Sequence, residues 1–428
     1  MAISPFRKFK TEPMAIANAS NKHSDDQVAT EYRWFLLFGV WSLYFAFGLT
    51  LTAMAPLVDP IRRDLNLNDS SIGLILGAWP LVYIACAMPC GAFLDKAGPR
   101  WALLTSGLIM AASCAARGFS HDQITLFLAV AGFGIGGPLI SIGAPKLVAS
   151  WFTGKERAFA MGVYITGPAL GSILALSLTN SFAMPLLDNN WRHVMFLYSG
   201  VVLLISLIWI IVGSSPKARQ MERMDGSKNT QQQWKVFVDL LRQPIVVTLL
   251  AMAIGVFFFN HSLNNWLPEI LRRSGMSASQ AGFWATIPSL VGIFGSLLIP
   301  RLAIPERRSK VLLVLLVIAA GASLLLQYSD HIIPLSFGLA MQGLAKGSLM
   351  TILMLSLVET KGVGTKHAGA AGGLFFSFAE IGGVLGPVSF GALSDLTGGF
   401  SAGLLMLTMV CCLLLSLLGR LNRLHRER

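Results

Sequence analysis

The chain has 428 residues, of which 54% are apolar and only 13% charged, with a mean hydropathy of +0.64 and a net charge of +12. A soluble domain carries about 25% charged residues, so this composition excludes an ordinary soluble globule and describes a surface meant largely for lipid. The positive excess does not point to nucleic acid either, because it is spread over short loops beside apolar stretches.

In chain order, residues 1–33 contain no apolar stretch suited to a signal peptide and are expected to form a disordered cytoplasmic lead. Twelve apolar spans of about 20 residues, the length that crosses a hydrocarbon core, are expected at 34–57, 71–93, 101–118, 123–147, 158–180, 193–213, 245–267, 280–300, 311–327, 333–355, 368–390 and 400–418. They form a first half (34–213) and a second half (244–418), joined by the polar cytoplasmic linker 214–243 and followed by a basic tail, 419–428. An even span number puts both ends on one side. That side holds 25 of the 33 Lys and Arg, against six on the other and two, Lys146 and Lys346, inside spans. Both termini are therefore expected in the cytoplasm, with the chain in an inner or plasma membrane.

The two halves echo each other. Pro56, Arg62-Arg63, Gly73 and Pro80 recur as Pro268, Arg272-Arg273, Gly282 and Pro288, and GKERAFAMG (154–162) aligns with GTKHAGAAGG (364–373), at offsets of about 208–212 residues. Solenoid units run to about 20–50 residues, so this is a duplicated half-molecule. In an apolar chain it implies a transporter with its binding site between the halves.

After the second span the loop reads GAFLDKAGPR (91–100). Together with twelve spans, two halves and a mid-chain linker, this G-x-x-x-D-[RK]-x-G-x-[RK] pattern resembles the major facilitator superfamily over about residues 34–418. Gly91, Asp95, Lys96, Gly98 and Arg100 carry the match, and Pro99 departs from it. The resemblance implies an all-α membrane fold of two pseudo-symmetric six-helix halves, working as a monomer. It also implies that this loop latches the cytoplasmic gate against the start of span eleven, His367 to Ala370. Read from the residues, Gly91 and Gly98 permit tight backbone where a helix ends. Asp95 can face the positive end of another helix, a contact worth about 0.3–1 kcal/mol. The rival reading is a plain topogenic loop. GALSD (391–395) repeats the pattern, but span parity places it on the opposite side, and it is set aside as a chance echo. In span five, Gly167 and Gly171 are spaced for helix packing. Their stretch GVYITGPALG (162–171) partly resembles the signature of drug/proton antiporters.

Charges inside spans usually face a cavity or a partner. Lys346 in span ten and Glu380 in span eleven lie near the middles of their helices. Lys146, a turn from the end of span four, is expected to snorkel, and Arg117 to be interfacial. The resemblance places spans one, four, seven and ten around the central path. Candidate substrate ligands are then Lys346, with Gln342 one turn away on the same face, and Asn260, His261 and Asn264 of span seven, with Tyr44 and Trp284 as aromatic walls. The polar residues of span seven fit the headgroup layer as well. Two readings of the charges stay open: Lys346 and Glu380 neutralise each other, or Lys346 attracts an anion while Glu380 carries a proton.

No nucleophile constellation, Walker-type loop or metal-ligand spacing stands out, and all five cysteines lie in spans as packing residues. Neither an enzyme nor a metal or cofactor is expected. Residues 266–300 resemble cyanate-permease-like and other organic-anion members of the superfamily. The expected function is alternating-access secondary transport of a small organic or inorganic anion across the bilayer, coupled to protons. A drug or metabolite exporter working by proton antiport and a non-transporting membrane receptor are the rivals.

Overall fold

The computed structural model describes residues 13–214, 238–360 and 363–426, and every regular element among them is a helix. Eleven of these helices are long and apolar enough to cross a membrane. The twelfth, Pro99–Gly118, has 20 residues, about 30 Å at 1.5 Å per residue. It is less apolar, with Arg100 and Arg117 near its two ends, and it packs between spans four and six. All twelve expected spans are thus helices. One boundary differs: the first helix runs from Pro13 to Thr52, so residues 13–33 are helical and not the unstructured lead expected of a polar segment. Most of the linker, 215–237, lies outside the described residues.

Four helices that begin on the face away from the termini are closed by side-chain caps. Asn68 accepts from Ser71 N and Asn190 from Arg192 N, while Asp122 with Thr125 and Ser277 with Gln280 form capping boxes. Such caps satisfy backbone donors that a helix start leaves unpaired.

Glycines set how closely the helices cross. A Cβ on Gly171 of span five would stand 2.7 Å from Leu49 N of span one, and one on Gly167 would stand 2.9 Å from Trp41 O. The GVYITGPALG stretch is therefore a packing face. The repeat-related glycines do the same between the halves. Gly73 of span two abuts the Pro387–Val388 backbone of span eleven, and Gly282 of span eight abuts the Leu176 carbonyl of span five. These crossings bring the halves together on the face away from the termini.

Candidate functional site

Between the halves lies a cavity of about 350 Å³, lined from spans one, two, four, five, seven, eight, ten and eleven. Lys346, Gln342, Asn260, His261, Asn264, Tyr44 and Glu380 all line it, as does Asn265. The span-seven residues therefore face the cavity and not a headgroup layer. Trp284 does not. The lining face of span eight runs through Ala285, Pro288, Ser289, Gly292 and Ser296. Trp284 is turned about 100° from Ala285 by helical geometry and packs partly buried against the apolar core. The aromatic wall is built instead by Tyr44, Phe47, Trp79, Tyr83, Phe257 and Phe376.

Lys346 and Glu380 form no ion pair with each other among the described residues. Lys346 Nζ donates to Ser289 Oγ at 3.2 Å. The Glu380 side chain is buried, its Oε2 makes no hydrogen bond, and His261 Nε2 lies 3.7 Å from it. Gly383, one turn on from Glu380, makes this approach possible, because a Cβ there would run into both the carboxylate and the imidazole. The His261 ring lies between Phe257 and Trp79, stacked at 5.5 Å and 5.4 Å. Gln342 is buried with its Oε1 unbonded. A lysine with a single hydroxyl partner, a glutamine with an unbonded amide oxygen and a glutamate with an unbonded carboxylate oxygen thus line one chamber.

The face away from the termini is closed by charges. Arg272 reaches Asp59 at 3.0 Å and Glu269 at 2.7 Å, and Arg273 reaches Asp69 at 2.7 Å and Glu269 at 2.8 Å. Asp59 and Asp69 belong to the first half and the others to the second. Both Asp69 and Glu269 are buried, so these pairs are less screened by salt than exposed ones. Ser394 Oγ donates to Asp69 at 2.7 Å. Asp395 accepts from the backbone N–H of Asp69 at 3.0 Å and of Ser70 at 2.7 Å, and also from the Ser70 hydroxyl. These N–H groups start the helix Asp69–Leu76, where partial positive charge favours an anion. GALSD is therefore no chance echo: its Asp395 caps span two across the interface. The same residue types as in GAFLD sit at the opposite end of the same helix pair, as nested inverted repeats would place them. The Arg272-Arg273 and Arg62-Arg63 repeat marks this cluster in the sequence, but nothing in the repeat itself shows that it closes a face.

At the other face, Gly98 ends span two with φ +83°, and Pro99 opens the next helix. Arg100 donates to Ser214 Oγ at 2.6 Å and lies over Trp101, while Lys96 is exposed. Asp95 pairs with Lys146 at 3.0 Å, so Lys146 has a carboxylate partner and does not simply snorkel. A Cβ on Gly91 would meet nothing within 4 Å. The side chains of His367 to Ala370, where the resemblance places the other side of the latch, lie outside the described residues. Arg117 is buried, 1% exposed, donating to Thr50 O at 3.0 Å with its guanidinium over Phe133. It is not interfacial: it serves a carbonyl left unpaired at the end of span one.

Residues 40–387 match the family model described as Major Facilitator Superfamily. The chain is 24% identical over 419 residues to a probable galactarate/D-glucarate transporter of Bacillus subtilis, covering 88% of each. It is 25% identical over 372 residues to a quinolone resistance transporter of Acinetobacter baumannii, covering 81% of this chain and 84% of that one. A solved bacterial homolog of the human lysosomal transporter Spinster, in an inward-facing and unoccupied conformation, superposes with a TM-score of 0.73 at 17% identity, over 92% of this chain and 98% of that one.

Proposed function

The chain belongs to the Major Facilitator Superfamily and is a multi-pass membrane transporter, not an enzyme, and from that premise we propose that it carries a small organic anion by alternating access, coupled to protons. The observation that carries this reading is Lys346: a cation inside the central cavity whose partner is a hydroxyl, not a carboxylate. A charge held at membrane depth needs compensation, and an anionic solute supplies it. Glu380 is the proton carrier, with one oxygen unbonded and His261 beside it to share the proton. The lysine and arginine bias puts both termini in the cytoplasm. The charged closure is then external and this conformation opens inward. In the outward-open state Asp95 exchanges Lys146 for span eleven and Gly91, Lys96, Gly98 and Arg100 shape that cytoplasmic contact.

Uptake of a radiolabelled carboxylate into proteoliposomes under an imposed pH gradient tests the coupling. Flux is expected to rise with the gradient and to lose that dependence in Glu380→Gln. Flux indifferent to the gradient would leave facilitated diffusion. A second reading, drug export by proton antiport, is favoured by the aromatic lining of the cavity and by the similarity to a quinolone resistance transporter. Stabilisation of the purified protein by hydrophobic amines and not by carboxylates would establish that reading instead.

A further inference from the structure

The cavity is chemically lopsided. Among its described lining residues, every charged group, the imidazole and every amide belong to the second half. The first half contributes rings, aliphatic side chains and hydroxyls, the hydroxyls including Tyr44, Tyr83 and Ser141. Lys346 is the one Lys or Arg in the described lining. Resting on the anion reading above, we infer that the substrate class is an aromatic monocarboxylate, held by its carboxylate to Lys346 of the second half and by its ring to Tyr44, Phe47 and Trp79 of the first.

Three observations converge on this. A dianion would find no second cation in the described lining, and its other carboxylate would share the cavity with Glu380. A polyhydroxylated chain would find its amide partners on the second half alone and would leave the rings of Phe47 and Trp79 facing polar groups instead of apolar surface. Third, the protein already makes the contact that such a ligand would make. The Trp79 indole of the first half stacks on His261 of the second at 5.4 Å, with an interplanar angle of 28°, and Tyr44 stacks on Phe47 and Tyr164 at 5.7 Å and 5.5 Å. A flat ring lying against this wall is buried on aromatic surface, in the offset or edge-on contacts that rings favour. The volume, about 350 Å³, lies near the small end of ligand pockets, which span roughly 300–1,000 Å³. It suits a one-ring acid.

The two-ended hold also ties binding to the transport cycle. A solute touching only one half leaves the equilibrium between conformations where it was, because only differential contacts shift it. A ring on one half and a carboxylate on the other make those contacts in the conformation that draws the halves around the solute.

Thermal-shift titration of the full-length protein in detergent decides it, with phenylacetate, lactate, galactarate and benzylamine as probes. Phenylacetate is expected to bind tighter than lactate and galactarate by roughly tenfold or more, because its ring is buried. Tyr44→Ala should remove most of the phenylacetate advantage over lactate, and Phe47→Leu, a milder change, should reduce it. Lactate or galactarate matching phenylacetate would overturn the aromatic class while leaving the anion reading intact. Retention of the phenylacetate-to-lactate ratio in both ring variants would overturn it too. Stabilisation by benzylamine alone, or by none of the probes, would sink the anion reading and this inference with it.

Discussion

On the proposed function, transport turns on Lys346 and Glu380, and the lack of an ion pair between them makes a double-mutant cycle informative. A hydrogen bond to a charged group contributes about 1.5–3 kcal/mol, so Lys346→Ala should weaken anion binding by roughly 10–150-fold. Lys346→Arg should retain part of it with altered geometry. Because Glu380 is not the partner of Lys346, Lys346→Ala/Glu380→Ala should restore neither binding nor the stability lost in Lys346→Ala, as removing both members of an ion pair would. Calorimetric binding and thermal melts on the four proteins check both, and full rescue of binding in the double variant would remove Lys346 as the anion site. Arg117 makes a different prediction. Its guanidinium serves the Thr50 carbonyl from a buried position, so Arg117→Ala should cost about 1–3 kcal/mol, seen as a lower melting temperature with substrate affinity unchanged. At this scale the sequence is legible in residue type and opaque in direction. A charge inside a span announces itself by its cost, whereas one step along a helix turns a side chain by about 100°, enough to put Trp284 outside the chamber and Ala285 in it.

Helix ends carry the conformational chemistry. Asp395 holds the start of span two through two backbone N–H groups and a hydroxyl. If that hold is worth about 1–2 kcal/mol, Asp395→Asn should shift the population toward opening of this face by roughly 5–30-fold. Cysteine-accessibility labelling along spans one and seven reads the shift, and unchanged labelling would reduce Asp395 to a local cap. Gly282→Leu should act in the same direction more strongly. A side chain there meets the Leu176 backbone of the other half, so the closed face should be wedged apart in a folded protein that binds but does not turn over. The twelve helices are legible because a run of about 20 apolar residues fits little besides a membrane crossing. The closure is not. Asp59, Asp69, Glu269, Arg272 and Arg273 read as ordinary loop charges until the fold brings residues more than 200 positions apart within 3.0 Å.

For the whole molecule, duplication is the clearest signal in the sequence, and it accounts for the paired use of Gly73 and Gly282 at equivalent crossings. What duplication cannot reveal is which face is shut, since one sequence serves every conformation of the cycle. The GAFLD and GALSD segments bear on that cycle as a matter of energy levels. On the proposed cycle, closing one face sets a carboxylate of span eleven on the start of span two, and closing the other sets a carboxylate of span two on the start of span eleven. Like is exchanged for like. A contact made once at each end cancels from the difference between the two states whatever it is worth, which leaves that difference to contacts without a counterpart, the Arg272 and Arg273 pairs among them. Driving a lopsided equilibrium from 1:99 to 99:1 takes about 5.5 kcal/mol of differential binding; a degenerate one responds to a fraction of that. On the proposed cycle, every contact that cancels in this way lowers the differential binding asked of the solute and of the proton.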